Sequence, residues 1–247
     1  MKKILLISNS FGEDATRYLY GIARAAGENI KVATLYIGGC SLYRHYRNML
    51  SEEKAYEYIL NGSRSGLFVS LKEALLSDEW DIVTLQQCSP RSGDEESYYP
   101  YINELALYVR KMAPPAKLYL HETWGYAEGS AMLDKTSFSS REEMIPAVRR
   151  AYERASREIK ADGTIPSLEG MNRLYDAVGD RTYRDGYHGS LGLGRYMLGC
   201  LFFTVLFGRD VTGNTYRDFD TDVTEEEVVL AQRIARETAL AHGVTLS

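Results

Sequence analysis

The stretch Lys2-Lys3-Ile4-Leu5-Leu6-Ile7-Ser8-Asn9-Ser10-Phe11-Gly12-Glu13-Asp14 decides how the rest of the chain is read. Ile4 to Ile7 is a short unbroken apolar run, the pattern of a parallel strand buried on both faces. The residues from Ser8 to Asp14 are polar and turn-forming. Ala15 to Ala26 then carries Leu19, Ile22, Ala23 and Ala26 at helical spacing, with Gly27 where a helix can stop. A strand, a sharp turn and a helix put the turn at the C-terminal edge of a sheet, where open α/β sheets bind ligands. A serine there exposes its hydroxyl, and the amides of a helix start attract negative charge. Ser10 is therefore a candidate nucleophile. The alternative is that Ser8, Asn9 and Ser10 only cap the helix.

Outward from this stretch, apolar strands alternate with helical patterns. Further strands are expected over Ile30 to Ile37, Trp80 to Leu85 and Lys117 to His121, with a short fifth over Gly163 to Pro166. Helices are expected over Leu71 to Leu76, Tyr101 to Met112, Arg141 to Ile159, Leu168 to Val178, Ser190 to Phe207 and Glu225 to Ala241. The alternation implies an α/β fold with a mostly parallel sheet covered by helices on both faces. Asn61-Gly62, within Tyr56 to Ser70, signals a small excursion hairpin. Ala127 to Ser140 reads as a loop able to cover a site.

The chain has 247 residues, 45% of them hydrophobic and 26% charged, which suits one domain over residues 1–247 with an ample core. A net charge of −5 without a long basic block gives no reason to expect nucleic acid as a partner. The three cysteines, Cys40, Cys88 and Cys200, are far apart and lack metal-ligand spacing. A reducing compartment and no metal are expected. The first apolar run is too short for a signal peptide, and Tyr196 to Phe207 is too short to span a bilayer. The expectation is a cytoplasmic protein without a membrane partner. Tyrosine is abundant, with 19 residues; such rings suit sugar-like ligands and also ordinary half-buried packing.

Parallel strands deliver their ends to one edge. Ser10, Gly38-Gly39, Gln86-Gln87 and Glu122-Thr123-Trp124 would meet there. A nucleophile, a glycine turn offering amides and a side-chain amide are the parts of an acyl-transfer site. Asp185-Gly186-Tyr187-His188 supplies the missing base. Its spacing lets the carboxylate meet the imidazole of its own loop and turn the other ring nitrogen toward Ser10. Trp124, Tyr126 and Tyr187 are candidate substrate-platform residues, with core packing as the alternative. His121 stands at a strand end and either lines the pocket or serves the scaffold. His45 and His242 fit a site less well. A phosphate- or nucleotide-binding role lacks its glycine-rich loop.

Ser8-Asn9-Ser10-Phe11, Gly38-Gly39-Cys40-Ser41-Leu42, Leu85-Gln86-Gln87-Cys88-Ser89 and Asp185-Gly-Tyr-His188-Gly-Ser190 together resemble the blocks of the SGNH (GDSL-like) hydrolases. The resemblance is to a bacterial branch whose first block reads Gly-Asn-Ser-Phe. It implies a flavodoxin-like three-layer sandwich on a five-stranded, mostly parallel sheet, and serine-esterase chemistry without a cofactor. By position, Ser10 would be the nucleophile, His188 the base and then acid, and Asp185 its orienting partner. The amides of Ser10 and Gly39 would hold the oxyanion. The superfamily's oxyanion asparagine has no counterpart here, so Gln86 is the expected side-chain donor and Gln87 the reserve. Ser8 replaces the usual glycine, and Asn9 the aspartate of the wider superfamily. The implied substrate is a small ester, acetyl foremost, on a carbohydrate or related polyol. The competing reading is a non-catalytic carbohydrate-binding domain on the same fold.

Overall fold

The computed structural model describes residues 1–247. The first strand, β1 (Lys2–Ser8), lies at the centre of the sheet, and Ile4 to Ile7 are wholly buried. It runs into α1 (Ser10–Thr16), and after a break at Arg17-Tyr18 the chain continues as α2 (Leu19–Ala25). The helix expected over Ala15 to Ala26 is thus two short helices, and the first begins at Ser10 itself. β2 (Ile30–Tyr36), α3 (Leu42–Ser51), β3 (Tyr56–Leu60), β4 (Ser63–Val69), α4 (Leu71–Leu76) and β5 (Ile82–Leu85) follow. The second half holds α5 (Tyr101–Met112), β6 (Lys117–His121), α6 (Arg141–Ile159), β7 (Gly163–Ile165), α7 (Ser167–Val178), α8 (Leu193–Phe207) and α9 (Glu225–Ala241). No helix is long and apolar enough to cross a membrane.

The sheet has seven strands in the order β4-β3-β2-β1-β5-β6-β7. Five of them, β2, β1, β5, β6 and β7, are parallel, and they form the mostly parallel sheet with flanking helices that the alternating pattern implies. The hairpin β3-β4 adds two antiparallel strands on the β2 side. The local Asn61-Gly62 signal gives the hairpin but not its place on the sheet edge. The chain goes from β1 to β2 on one side and crosses back to β5 on the other. This reversal opens a crevice at the C-terminal ends of β1 and its neighbours, the place where such sheets hold ligands.

Two local features shape that crevice. Asn9 caps α1, its side-chain oxygen accepting from the Phe11 amide at 3.1 Å, so Ser10 is left free as the first helical residue. Gly12 lets α1 sit against the end of β1. A Cβ built there would lie 1.8 Å from Ser8 Oγ, 2.7 Å from Ser8 Cβ and 3.0 Å from Gln86 Oε1. Behind the crevice, α8 is buried along most of its length and packs against α1, α2 and α9. Gly12→Ala should therefore force α1 off the strand, at a cost of about 1–3 kcal/mol. Urea unfolding measures this; an unchanged midpoint would show that the contact is soft.

Candidate active site

Ser10 Oγ lies 2.8 Å from His188 Nε2, and His188 Nδ1 lies 2.7 Å from Asp185 Oδ2. Asp185 Oδ1 also accepts from the amides of Tyr187 and His188, at 3.3 and 2.8 Å. Burial acts to raise the Asp185 carboxyl, but the hydrogen bonds from the His188 ring and backbone outweigh it and hold the carboxyl below its ordinary value. An ionised Asp185 accepts a hydrogen bond from Nδ1–H and so leaves Nε2 as an acceptor for the Ser10 hydroxyl. The ring of Tyr187 lies 3.9 Å from that of His188, centroid to centroid.

The loop that carries Asp185 and His188 is held to α1 by Asp14, one helical turn beyond Ser10 and wholly buried. Arg184 Nη1 donates to both Asp14 oxygens, at 2.9 and 3.0 Å, and Arg195 Nε donates at 2.9 Å. The Gly189 amide adds a fourth hydrogen bond at 3.1 Å. An aromatic contact acts beside this polar clamp. Trp124 stacks on Phe11 with centroids 4.0 Å apart, and its Nε1 donates to the Tyr187 carbonyl at 2.7 Å. The Ala127 amide donates to Gly186 O at 2.7 Å, so the covering segment 127–140 is tied to the same loop. Nothing in the local sequence marks Arg184 or Arg195 for this role, and Asp14 is marked only by its place. The only signal is an acidic residue one turn after the serine.

A cavity of about 270 Å³ opens over Ser10, with Gly38, Gly39, Tyr36, Ser89, Pro90, Met132, Tyr187 and His188 among its walls. Gly39 has φ +61°, a conformation that suits glycine, and neither its amide nor that of Ser10 hydrogen-bonds within the protein. The two glutamines do not reach this cavity. Gln86 is buried behind it, its Nε2 donating to Asn9 Oδ1 at 2.7 Å and its Oε1 accepting from Ser8 Oγ and His121 Nδ1 at 2.7 and 2.9 Å. Gln87 donates to Ser97 and accepts from the amides of Leu42 and Cys88. Neither glutamine expected as an oxyanion donor lines the cavity; both brace the loops around it. Trp124 and Tyr126 are fully buried beneath the site and are not a platform; of the three aromatic candidates only Tyr187 faces the cavity. His121 is scaffold as well, and burial pushes its imidazole down to about 3. No cluster of His, Cys, Asp and Glu is arranged to hold a metal.

A family model described as "Domain of unknown function (DUF4886)" matches residues 3–239. The chain belongs to the DUF4886 family. The crystal structure of a DUF4886 family protein from Bacteroides uniformis is 30% identical and superimposes with a TM-score of 0.89, covering 100% of this chain and 97% of that one. A protein from Parabacteroides merdae assigned to the GDSL-like lipases is 15% identical, with a TM-score of 0.56 over 82% of this chain and 94% of that one. This second likeness is one of fold. No curated protein matches the chain.

The clamp in this DUF4886 protein can be broken at one atom set. Asp14→Ala takes the shared carboxylate from two guanidinium groups, of which only Arg195 keeps a second one in Asp220, and should cost about 3 kcal/mol. Denaturant unfolding reads the loss, and a change under about 1 kcal/mol would mean that Arg184 and Arg195 find other acceptors. A second effect follows from Glu122, at the end of β6. Burial is the main influence on its carboxyl and pushes it up to about 8, against the favourable charge of Arg149. Between the ordinary value of 4.5 and about 8 the folded chain keeps a proton that the unfolded chain releases. Stability should therefore fall as pH rises through that window, and Glu122→Gln should flatten the slope in thermal melts taken across it.

Proposed function

We propose that this protein is a serine hydrolase that cleaves a small acyl ester, acetyl foremost, from a carbohydrate or related polyol. One observation carries the reading: an unbroken hydrogen-bonded line from Asp185 through His188 to the hydroxyl of Ser10, which opens into a cavity. The fold likeness to the Parabacteroides merdae protein is consistent with it. In this reading residues 1–247 act as one catalytic domain.

His188 Nε2 takes the Ser10 proton as Oγ adds to the ester carbonyl carbon. The carbonyl π pair moves onto oxygen, and the free amides of Ser10 and Gly39 donate to it. The imidazolium formed is stabilised by the ionised Asp185. His188 then returns the proton to the departing alkoxide. Water, deprotonated by His188, releases the acyl group from Ser10 and restores the hydroxyl. The cavity of about 270 Å³ favours a small group at the reacting centre. A larger polar groove of about 700 Å³ shares Pro90 with it and is walled by Arg91, Asp94, Glu95, Lys135, Thr136 and Arg150. That groove offers room for a polar leaving alcohol beyond the ester.

Hydrolysis of p-nitrophenyl acetate by the purified protein tests the reading. Ser10→Ala should reduce activity to background, and Asp185→Asn should lower kcat by about 10³–10⁴-fold because His188 loses its orienting partner. Activity that survives in Ser10→Ala would sink the assignment.

A further inference from the structure

Neither glutamine lines the cavity, and its walls offer another side-chain donor beside the two free amides. Ser89 lies on the loop that leaves β5, next to β1, and lines the cavity that contains Ser10 and Gly39. Beneath it, the hydroxyl of Tyr126 donates to Ser89 Oγ at 2.9 Å. We propose that Ser89 is a catalytic residue, the side-chain donor to the carbonyl oxygen of the ester as that oxygen becomes an oxyanion. The proposal rests on the serine-hydrolase reading and names a residue that neither the motifs nor the family likeness assigns.

The polarity of the Tyr126–Ser89 pair carries the argument. Tyr126 is wholly buried, and Ser89 Oγ is the only hydrogen-bond partner of its hydroxyl. If Ser89 donated to Tyr126, the phenolic proton would be stranded in the interior without an acceptor, which is costly. Ser89 faces the cavity, where water or substrate can accept. The phenol therefore donates to Ser89, and the Ser89 proton, which no protein group accepts, is left for an acceptor in the cavity that Ser89 lines. Burial pushes the Tyr126 phenol up, so it remains a neutral donor. A hydroxyl that already accepts a hydrogen bond is polarised and donates more strongly. Ser89 is also held in place: its carbonyl accepts from Ser92 Oγ at 2.8 Å and from the Ser92 amide at 3.2 Å. A fixed, pre-aimed donor is what stabilisation of developing charge requires.

Of the other polar side chains that line the cavity, Tyr36 has a hydroxyl that no neighbour orients, and Asn9 is engaged. Asn9 Nδ2 donates to Cys40 O, and its oxygen accepts from Phe11 N and Gln86 Nε2. Tyr187 lies against the His188 ring, with centroids 3.9 Å apart. Among the lining hydroxyls other than Ser10, Ser89 combines a proton that no protein group accepts with a buried partner that orients its oxygen. In the reaction no proton leaves Ser89. As Ser10 Oγ bonds to carbon and its proton passes to His188, the carbonyl oxygen gains the electron pair and accepts the Ser89 hydrogen bond. That bond relaxes when the carbonyl reforms.

The experiment measures kcat and KM for p-nitrophenyl acetate in the wild type, Ser89→Ala, Ser89→Thr and Tyr126→Phe, with fluorophosphonate labelling of Ser10 in the wild type. Ser89→Ala should lower kcat about 10²-fold, the usual effect of losing one such donor, with KM changed less than about threefold. Ser89→Thr keeps the hydroxyl and should recover most of the loss. Tyr126→Phe should fall between wild type and Ser89→Ala. Inhibition by a small boronic acid, which forms a tetrahedral adduct on Ser10, should weaken in Ser89→Ala in step with kcat/KM. A Ser89→Ala protein with kcat within about threefold of wild type overturns the proposal and leaves the hydrolase reading standing. So does a kcat loss that boronic acid affinity does not share. A wild type inert to both ester and fluorophosphonate overturns the hydrolase reading, and the role of Ser89 with it.

Discussion

The buried carboxylate of Asp14 joins two parts of the chain that are far apart in sequence, and the geometry over Ser10 depends on it. A charged group at zero exposure is expensive unless every lone pair is used. Here two guanidinium groups and one amide supply four hydrogen bonds. The Arg184 guanidinium also donates to Gly189 O at 2.6 Å, so the arginine closes the base of its own loop while it grips the helix. Arg195 extends the cluster to Asp220 at 2.7 Å, and Arg17 meets the same carboxylate. A well-packed apolar substitute could be as stable, but it would not fix the register of the loop against the helix. An angular specification of this kind is what a 2.8 Å contact between Ser10 and His188 needs.

A second buried system sets the floor of the site. The Asn9–Gln86 amide contact, with Ser8, His121 and the Cys40 carbonyl, links the ends of β1, β5 and β6 to the turn after β2. Each member accepts or donates where it would otherwise be orphaned, apart from His121 Nε2, which is buried without a partner. Low polarity makes these bonds strong and makes their loss costly. The glutamine that sequence reasoning placed at the oxyanion is thus spent on holding the strand ends together.

What could be read from the sequence follows from the range of the forces involved. The five parallel strands were legible because burial on both faces writes a continuous apolar run into each segment. Ser10 at a strand end and the short Asp185-x-x-His188 turn are local patterns, whereas the pairing of Ser10 with His188, 178 residues apart, was suggested by parallel strands meeting at one edge and by the order of the hydrolase-like blocks. The division of the first helix at Arg17-Tyr18 was not legible. Tyr18 is fixed by contacts from distant segments, its hydroxyl donating to Leu191 O and accepting from the Asp220 amide. The attachment of the hairpin to the β2 edge, the brace made by Gln86 and Gln87, and the Asp14 clamp are likewise choices among distant partners. A residue type shows that a hydrogen bond will be made; only the fold decides with whom.

Aromatic residues show why composition misleads at this site. Abundant tyrosines suggested a sugar platform, yet Trp124 and Tyr126 lie below the cavity floor. Their polar tips explain the choice of side chain. Trp124 Nε1 fixes the Tyr187 carbonyl and Tyr126 OH fixes the Ser89 hydroxyl, while each ring fills core volume. A phenylalanine would fill the same space and leave both loops free to shift. The indole and the phenol therefore couple packing to orientation: the apolar body is held by the core, and the single donor transmits that rigidity to a loop at the surface. Loops anchored in this way combine the access a substrate needs with the positional accuracy of the sheet beneath them.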